Sequence, residues 1–158
     1  MDPHGPVAIE GPRLNASAEC APILHDLPDW FGIPEAVAHY IERIEQLPTF
    51  LARAGDATVG FMTVLRHQSV AAELYVLAVR PEWHRQGVGR ALLAAVEAWL
   101  RAQGVEYLQV KTLGPSHPDE SYALTRAFYE AQGFRALEEL TQLWGESNPC
   151  LIMVKKIQ

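Results

Sequence analysis

The sequence predicts an α/β (α+β) domain, and three observations carry the prediction. Two strand-patterned segments, residues 49–54 and 57–66, flank Gly55-Asp56, a two-residue hairpin signal. A third, residues 72–79, follows a turn at about residues 67–70, which makes three antiparallel strands in succession. The third strand then runs through a basic, glycine-containing loop into an amphipathic helix, and a further strand, a helix and two strands complete the order.

Each element has a local reason. Residues 1–13 carry Pro3, Gly5, Pro6 and Gly11 and read as a frayed end or as a short first strand at residues 7–10. Residues 34–47 read as a helix because Val37, Tyr40, Ile41, Ile44 and Leu47 recur at three- and four-residue steps. Pro34 suits its first turn, and Pro48 ends it. The helix after the glycine loop spans about residues 87–102. Val88, Leu92, Ala95, Val96, Trp99 and Leu100 form its apolar face, and Gly104 closes it. Residues 107–113 form the next strand, 114–120 a loop, and 121–132 a helix closed by Gly133. Residues 135–143 and 150–157 are the last strands, joined by a connection through Trp144. The size of the chain fits one domain over residues 1–158.

The most specific stretch is residues 79–93, VRPEWHRQGVGRALL. A strand, a loop and a helix N-terminus together make an anion site, because the N–H groups of the first helical turn lack partners and the dipole favours negative charge there. Gly87 and Gly89 let a phosphate approach the backbone, and Arg85 and Arg90 add positive charge. A Walker loop is excluded, since Gly89-Arg90-Ala91 replaces Gly-Lys-Ser/Thr. A dinucleotide fingerprint is excluded as well: Leu92 stands at the third glycine, and residues 80–86 separate the glycines from the strand.

This stretch resembles the Gln/Arg-x-x-Gly-x-Gly/Ala motif of the GCN5-related N-acetyltransferase (GNAT) superfamily. Residues 127–134, AFYEAQGF, resemble the Tyr-x-x-x-Gly-Phe signature of the same family, in the expected order, and the resemblance covers roughly residues 47–157. It implies a central mixed, mostly antiparallel twisted sheet of six to seven strands flanked by about four helices. It also implies acetyl-CoA as the acyl donor, coenzyme A as product, and no metal. The residues implied to hold the cofactor are Leu77, Ala78, Val79, His84, Arg85, Gln86, Gly87, Val88, Gly89, Arg90, Tyr122 and Phe128. Two of these depart from the pattern. His84 stands at the Gln/Arg position of the loop, and Tyr122 stands where the family often has Asn.

Acyl transfer from a thioester to an amine sets three demands. The amine must lose a proton, the oxyanion needs donors, and the departing thiolate gains from a proton or hydrogen bond. The resemblance implies Tyr129 for the last role. A phenol is a weaker acid than a thiol, so hydrogen bonding to the thiolate and full protonation both stay open. The plainer reading is a packed Tyr with a satisfied hydroxyl. Glu73 is the candidate base. Strand alternation puts Glu73 and Tyr75 on one face, with Leu74, Val76 and Ala78 on the other. Ala72-Glu73-Leu74 also resembles the Ala-Glu-Ile of the family's histone-acetylating branch, where that Glu is the base. The plainer reading is a solvated carboxylate. The resemblance further implies an oxyanion donor among the backbone N–H groups of residues 77–79, which would also pair with the pantetheine arm like an added strand.

For the acceptor, Trp30, Phe31 and Glu35 are candidates for a pocket wall, against a plainer role in core packing. His117 is a candidate contact or proton relay, against a surface loop His. Asp119 and Glu120 read as helix N-terminal charge, and Cys150 as a small buried hydrophobe.

Composition narrows the partners. A net charge of −6 argues against nucleic acid and mildly favours a cationic acceptor. No signal peptide is expected, and the longest apolar runs, residues 74–79 and 91–96, are too short to span a bilayer. Two cysteines, Cys20 and Cys150, form neither a disulfide framework nor a metal spacing, so a cytoplasmic protein is expected. Edge strands and the Trp144 connection would support a homodimer. The leading expectation is an N-acetyltransferase that moves an acetyl group from acetyl-CoA to a primary amine, on a small molecule or a peptide, by direct attack in a ternary complex. The alternatives are a non-catalytic acyl-CoA binding or sensing module and an acyltransferase using a longer acyl-CoA.

Overall fold

A computed structural model describes residues 5–158. The expectations at residues 1–4 of the N-terminal segment lie outside the described residues. Seven strands form one sheet: β1 (Ala8–Arg13), β2 (Thr49–Ala54), β3 (Ala57–Gln68), β4 (Ala71–Val79), β5 (Tyr107–Leu113), β6 (Arg135–Leu140) and β7 (Cys150–Lys156). The spatial order is β1-β2-β3-β4-β5-β7-β6. Neighbours are antiparallel except for β4 and β5, which run parallel. Four helices flank the sheet: α1 (Ser17–His25), α2 (Pro34–Gln46), α3 (Val88–Ala102) and α4 (Glu120–Ala131). A 3₁₀ turn, Pro81–Trp83, joins β4 to the loop before α3. The mixed, mostly antiparallel sheet implied by the resemblance is the fold observed.

Two apolar clusters cover the two sides of the sheet. On one side α3 and α4 bury Val88, Leu92, Val96 and Tyr129 against Met62, Val64, Leu74 and Val110. On the other, α1 and α2 bury Cys20, Ile23, Leu24, Val37 and Ile44 against Leu51, Phe61, Val76 and Ala78. The apolar face expected of α3 holds, and Leu93 joins it. Glu97 is also buried on this helix, where Arg101 and Lys155 pair with its two oxygens at 2.9 and 2.8 Å. A buried carboxylate requires such partners.

Four expectations need correction. The N-terminal segment is a strand that pairs with β2 and extends to Arg13, beyond the expected residues 7–10. The sequence reading has no helix at α1, where Pro22 lies inside the helix and breaks the usual signal. The strand expected over residues 135–143 stops at Leu140, because the chain turns away toward Trp144. Strict alternation along β4 fails. Thr63 pairs with Val76 and Val64 with Leu74, so Tyr75 is an extra residue without a partner on β3. This bulge reverses the faces beyond it. Leu74 packs with α3, whereas Val76 and Ala78 pack with α1 and α2.

Candidate active site

The parallel pair β4–β5 opens partway along. Pairing joins Ala71 through Leu74 to Tyr107 through Val110 and then stops, while β4 runs on to Val79 and β5 to Leu113. A slot therefore splits the sheet at its middle. Arg80 N–H bonds the Val59 carbonyl across to β3, so by strand alternation the N–H and C=O of Val79 and Leu77 turn to the slot. A cavity of about 1330 Å³ fills the slot and spreads onto both sides of the sheet.

The basic glycine loop closes one end of the slot. Arg85 has φ 61° and Gly87 φ 82°, both left-handed. Arg85 holds a conformation that costs an L-residue roughly 1–2 kcal/mol, a strain typical of ligand-binding loops. Gly87 is the N-cap of α3, and a Cβ built there would meet nothing within 4 Å, so the space over the loop is open. The helix's own ladder begins with Ala91 N–H donating to Gly87 O. The N–H groups of Val88, Gly89 and Arg90 precede it and are available to an anion. Gly89 faces the Phe128 ring, which would stand 3.2 Å from an added Cβ. His84 fixes the loop to the strand, its Nε2 donating to the Val79 carbonyl at 2.6 Å.

On the α4 side of the slot stands Tyr129, 5% exposed, its ring packed against Phe128 and Phe134 with centroids 5.5 Å away in each case. Its hydroxyl has no hydrogen-bond partner among the described residues, although the residue lines the cavity. Burial, helped by the nearby Tyr122, pushes its pKa well above the ordinary phenol value. Thr112 on β5 is a second buried hydroxyl without a partner among the described residues.

On the opposite side stands Glu73, 4% exposed. Its Oε1 accepts from His67 Nε2 at 2.7 Å and from Lys111 Nζ at 3.0 Å. The three residues come from β3, β4 and β5, so the sheet itself assembles the cluster. Oε2 has no partner among the described residues, and Glu73 lines the cavity. Beyond it an aromatic row runs from Tyr75 to Tyr40 to Phe31, with centroid separations of 5.5 and 5.9 Å. The Trp30 segment bridges the slot to α4. Trp30 Nε1 donates to Thr125 Oγ1 at 2.9 Å, and the Tyr122 hydroxyl donates to the Trp30 carbonyl at 2.7 Å.

A family model of the acetyltransferase (GNAT) domain matches residues 45–136, more than half of the chain. This chain belongs to the GNAT acetyltransferase family. Within the family it is similar to the aminoglycoside N(6')-acetyltransferase type 1 of Stenotrophomonas maltophilia, with 48% identity over 68 residues, 37% of this chain and 44% of that protein. The chain thus spans less than half the length of this curated relative. A GNAT-family protein of Desulfovibrio desulfuricans shares the fold over 97% of this chain and all of that one, with a TM-score of 0.84 and 23% identity. A GNAT acetyltransferase of Elizabethkingia anophelis, solved with acetyl-CoA bound, shares it over 95% and 97% of the two chains, with a TM-score of 0.70 and 16% identity.

In this GNAT domain, most residues named from the sequence converge on the one cavity. Leu77, Ala78, Val79, His84, Arg85, Gly87, Val88, Gly89, Arg90, Tyr122, Phe128 and Tyr129 line it, as do Glu73, Trp30, Phe31 and His117. Two do not. Gln86 is exposed and folds back to donate to the Glu82 carbonyl, and Glu35 is exposed at the first turn of α2. Tyr122 spends its hydroxyl on Trp30, so its side chain ties α4 to the α1–α2 segment. Asp119 caps α4 by accepting from Tyr122 N–H. Glu73 is neither solvated nor alone. His67, Lys111, Tyr40, Tyr75 and Trp144 also line the cavity, and the sequence reading gave none of them a role there. His67 was within reach, since Leu65 and His67 lie on one face of β3. Lys111 was not, because its approach to Glu73 depends on a parallel register that sequence does not encode locally. No helix among the described residues is long and apolar enough to cross a membrane.

Proposed function

We propose that this protein transfers an acetyl group from acetyl-CoA to a primary amine on a small molecule, by direct attack in a ternary complex. One observation carries the reading: the β4–β5 slot ends at the left-handed glycine loop and holds, on one side, a buried carboxylate oxygen and, on the other, a Tyr hydroxyl, neither with a partner among the described residues. Acetyl-CoA suits these residues. The α3 N-terminus offers free N–H groups to a pyrophosphate under the open space at Gly87, and Arg85 and Arg90 add charge. The free edge of β4 offers an extended pantetheine arm the hydrogen bonds of a missing strand.

When bound, acetyl-CoA supplies the activated acetyl group, whose transfer forms a C–N bond and breaks the C–S bond. The chain's own residues act around that exchange. Glu73 Oε2 accepts the proton that the amine must lose, while Oε1 stays anchored by Lys111 and His67. His67, with 36% of its side chain exposed, connects the buried carboxylate to solvent for proton return. The N–H groups of Leu77 and Val79, which turn to the slot, stand ready as donors to the charge that develops on the carbonyl oxygen. Tyr129 donates its hydroxyl to the departing sulfur. Its raised pKa disfavours full proton transfer, so a hydrogen bond is its contribution.

The test is calorimetric titration with acetyl-CoA, followed by thiol release across a panel of amines. The reading requires saturable binding and release above the hydrolysis background. Failure to bind acetyl-CoA overturns it.

A further inference from the structure

We propose that the acceptor is a small molecule with a single primary amine on an aromatic body. The inference rests on the reading of Glu73 as proton acceptor and goes further, to the shape and charge of what reaches it.

The first observation is charge. A polycationic acceptor needs a carboxylate for each ammonium it brings out of water. The carboxylates lining the cavity are Asp29, Glu73 and Asp119. Asp119 is half-buried and gives one oxygen to capping α4, and Asp29 is exposed. Among the described residues Glu73 is the one fully buried carboxylate of the lining, and Lys111 already stands 3.0 Å from it. Arg43 lies over the Tyr75 ring at 6.0 Å and adds positive charge on the same wall. One buried carboxylate oxygen without a partner among the described residues matches one amine. A second or third ammonium would fall to half-buried Asp119 or exposed Asp29, where water screens the pair.

The second observation is independent and concerns apolar surface. Eight large hydrophobic side chains are exposed among the described residues, and four of them, Ile33, Leu124, Leu143 and Trp144, line this cavity. Leu143 and Trp144 are 52% and 40% exposed on the β6–β7 connection, and the row Tyr75, Tyr40 and Phe31 forms another part of the lining. Exposed apolar groups gathered at a cavity, rather than scattered, mark a place where an apolar ligand is covered. Aromatic edges and faces on this wall suit a ring better than a hydroxylated sugar.

The experiment compares phenethylamine and tryptamine with kanamycin, spermidine and a peptide beginning with Phe. Turnover is measured with acetyl-CoA, and binding of each amine to the protein saturated with CoA is measured by calorimetry. The aromatic monoamines are expected to exceed both polycations in kcat/KM, and to bind more tightly to the CoA complex even where turnover is slow. Trp144→Ala is expected to weaken the aromatic amines about tenfold, chiefly through KM, as loss of a large ring contact does, and to leave acetyl-CoA affinity intact. Equal or better use of kanamycin or spermidine overturns the inference and leaves the transferase reading standing. Preference for the peptide over the free amines, or no effect of Trp144→Ala, also overturns it. No binding of acetyl-CoA by the intact protein instead sinks the transferase reading itself.

Discussion

Glu73 and Tyr129 face each other across the slot with opposite needs, and each is testable alone. Glu73→Gln removes a proton acceptor and keeps the shape. We expect a loss of about 10²-fold in turnover at neutral pH, in line with a positioned general base. The loss shrinks at high pH, where free amine is abundant, so the pH–rate profile is the measurement that decides. A profile parallel to that of the unaltered protein removes Glu73 as base. Tyr129→Phe should cut turnover while acetyl-CoA affinity, read by calorimetry, stays nearly unchanged, because the ring keeps its packing against Phe128 and Phe134. A collapse in affinity would reassign the residue to structure. Both residues were named as candidates from the chain, Tyr129 from its motif and Glu73 from its strand and neighbours. Their surroundings were not. The aromatic row and the His67–Glu73–Lys111 cluster join residues that only strand pairing brings together.

Among the elements, α3 and its loop form the proposed cofactor end. Gly89→Val should abolish acetyl-CoA binding, because even a Cβ would press on the Phe128 ring at 3.2 Å and larger atoms would fill the helix N-terminus. Normal binding by this variant would sink the loop assignment. Helix α1 carries a different kind of prediction. Glu19 on this helix meets Arg13 of β1, Arg53 of β2 at 2.5 Å and the Thr58 hydroxyl of β3 at 2.9 Å. Burial alone would raise its pKa, but hydrogen bonds from Arg13 and Thr58 and the charges of Arg13 and Arg53 outweigh that and hold it below the ordinary 4.5. A carboxylate with a lowered folded pKa contributes stability that is complete above 4.5 and is lost as pH falls through the folded value. Urea unfolding between pH 7 and pH 3 should therefore show a weaker decline for Glu19→Gln than for the unaltered protein. An identical decline would mean that the cluster contributes nothing to acid sensitivity. The helix itself had a legible signature. Ala16, Cys20, Ile23, Leu24 and Leu27, all buried, follow helical spacing, and Pro22 in their midst hides it.

At the scale of the whole molecule, local signals located almost every strand and helix within a few residues. Gly55-Asp56, Gly104 and Gly133 ended the elements they were expected to end. The mixed, mostly antiparallel character of the sheet came only with the family resemblance, and the order of its strands only with the structure. The split between β4 and β5 and the bulge at Tyr75 had no local signature, since a bulge is defined by its partner strand. That bulge has a consequence for how the gene can change length. Deleting Tyr75 would close an uninterrupted ladder with β3, since Leu74 and Val76 already pair with Val64 and Thr63, and would leave residues 76–79 on the faces they now hold. Deleting Leu77, which pairs with Met62, shortens the strand equally but moves Ala78 and Val79 each to the opposite face, exchanging a side chain that meets α1 and α2 with one that meets α3. Soluble yield and the cooperativity of thermal unfolding should separate the two deletions clearly. The reading frame of side chains along β4 therefore survives loss of the residue that has no partner, and codon loss at position 75 should be better tolerated than at position 77.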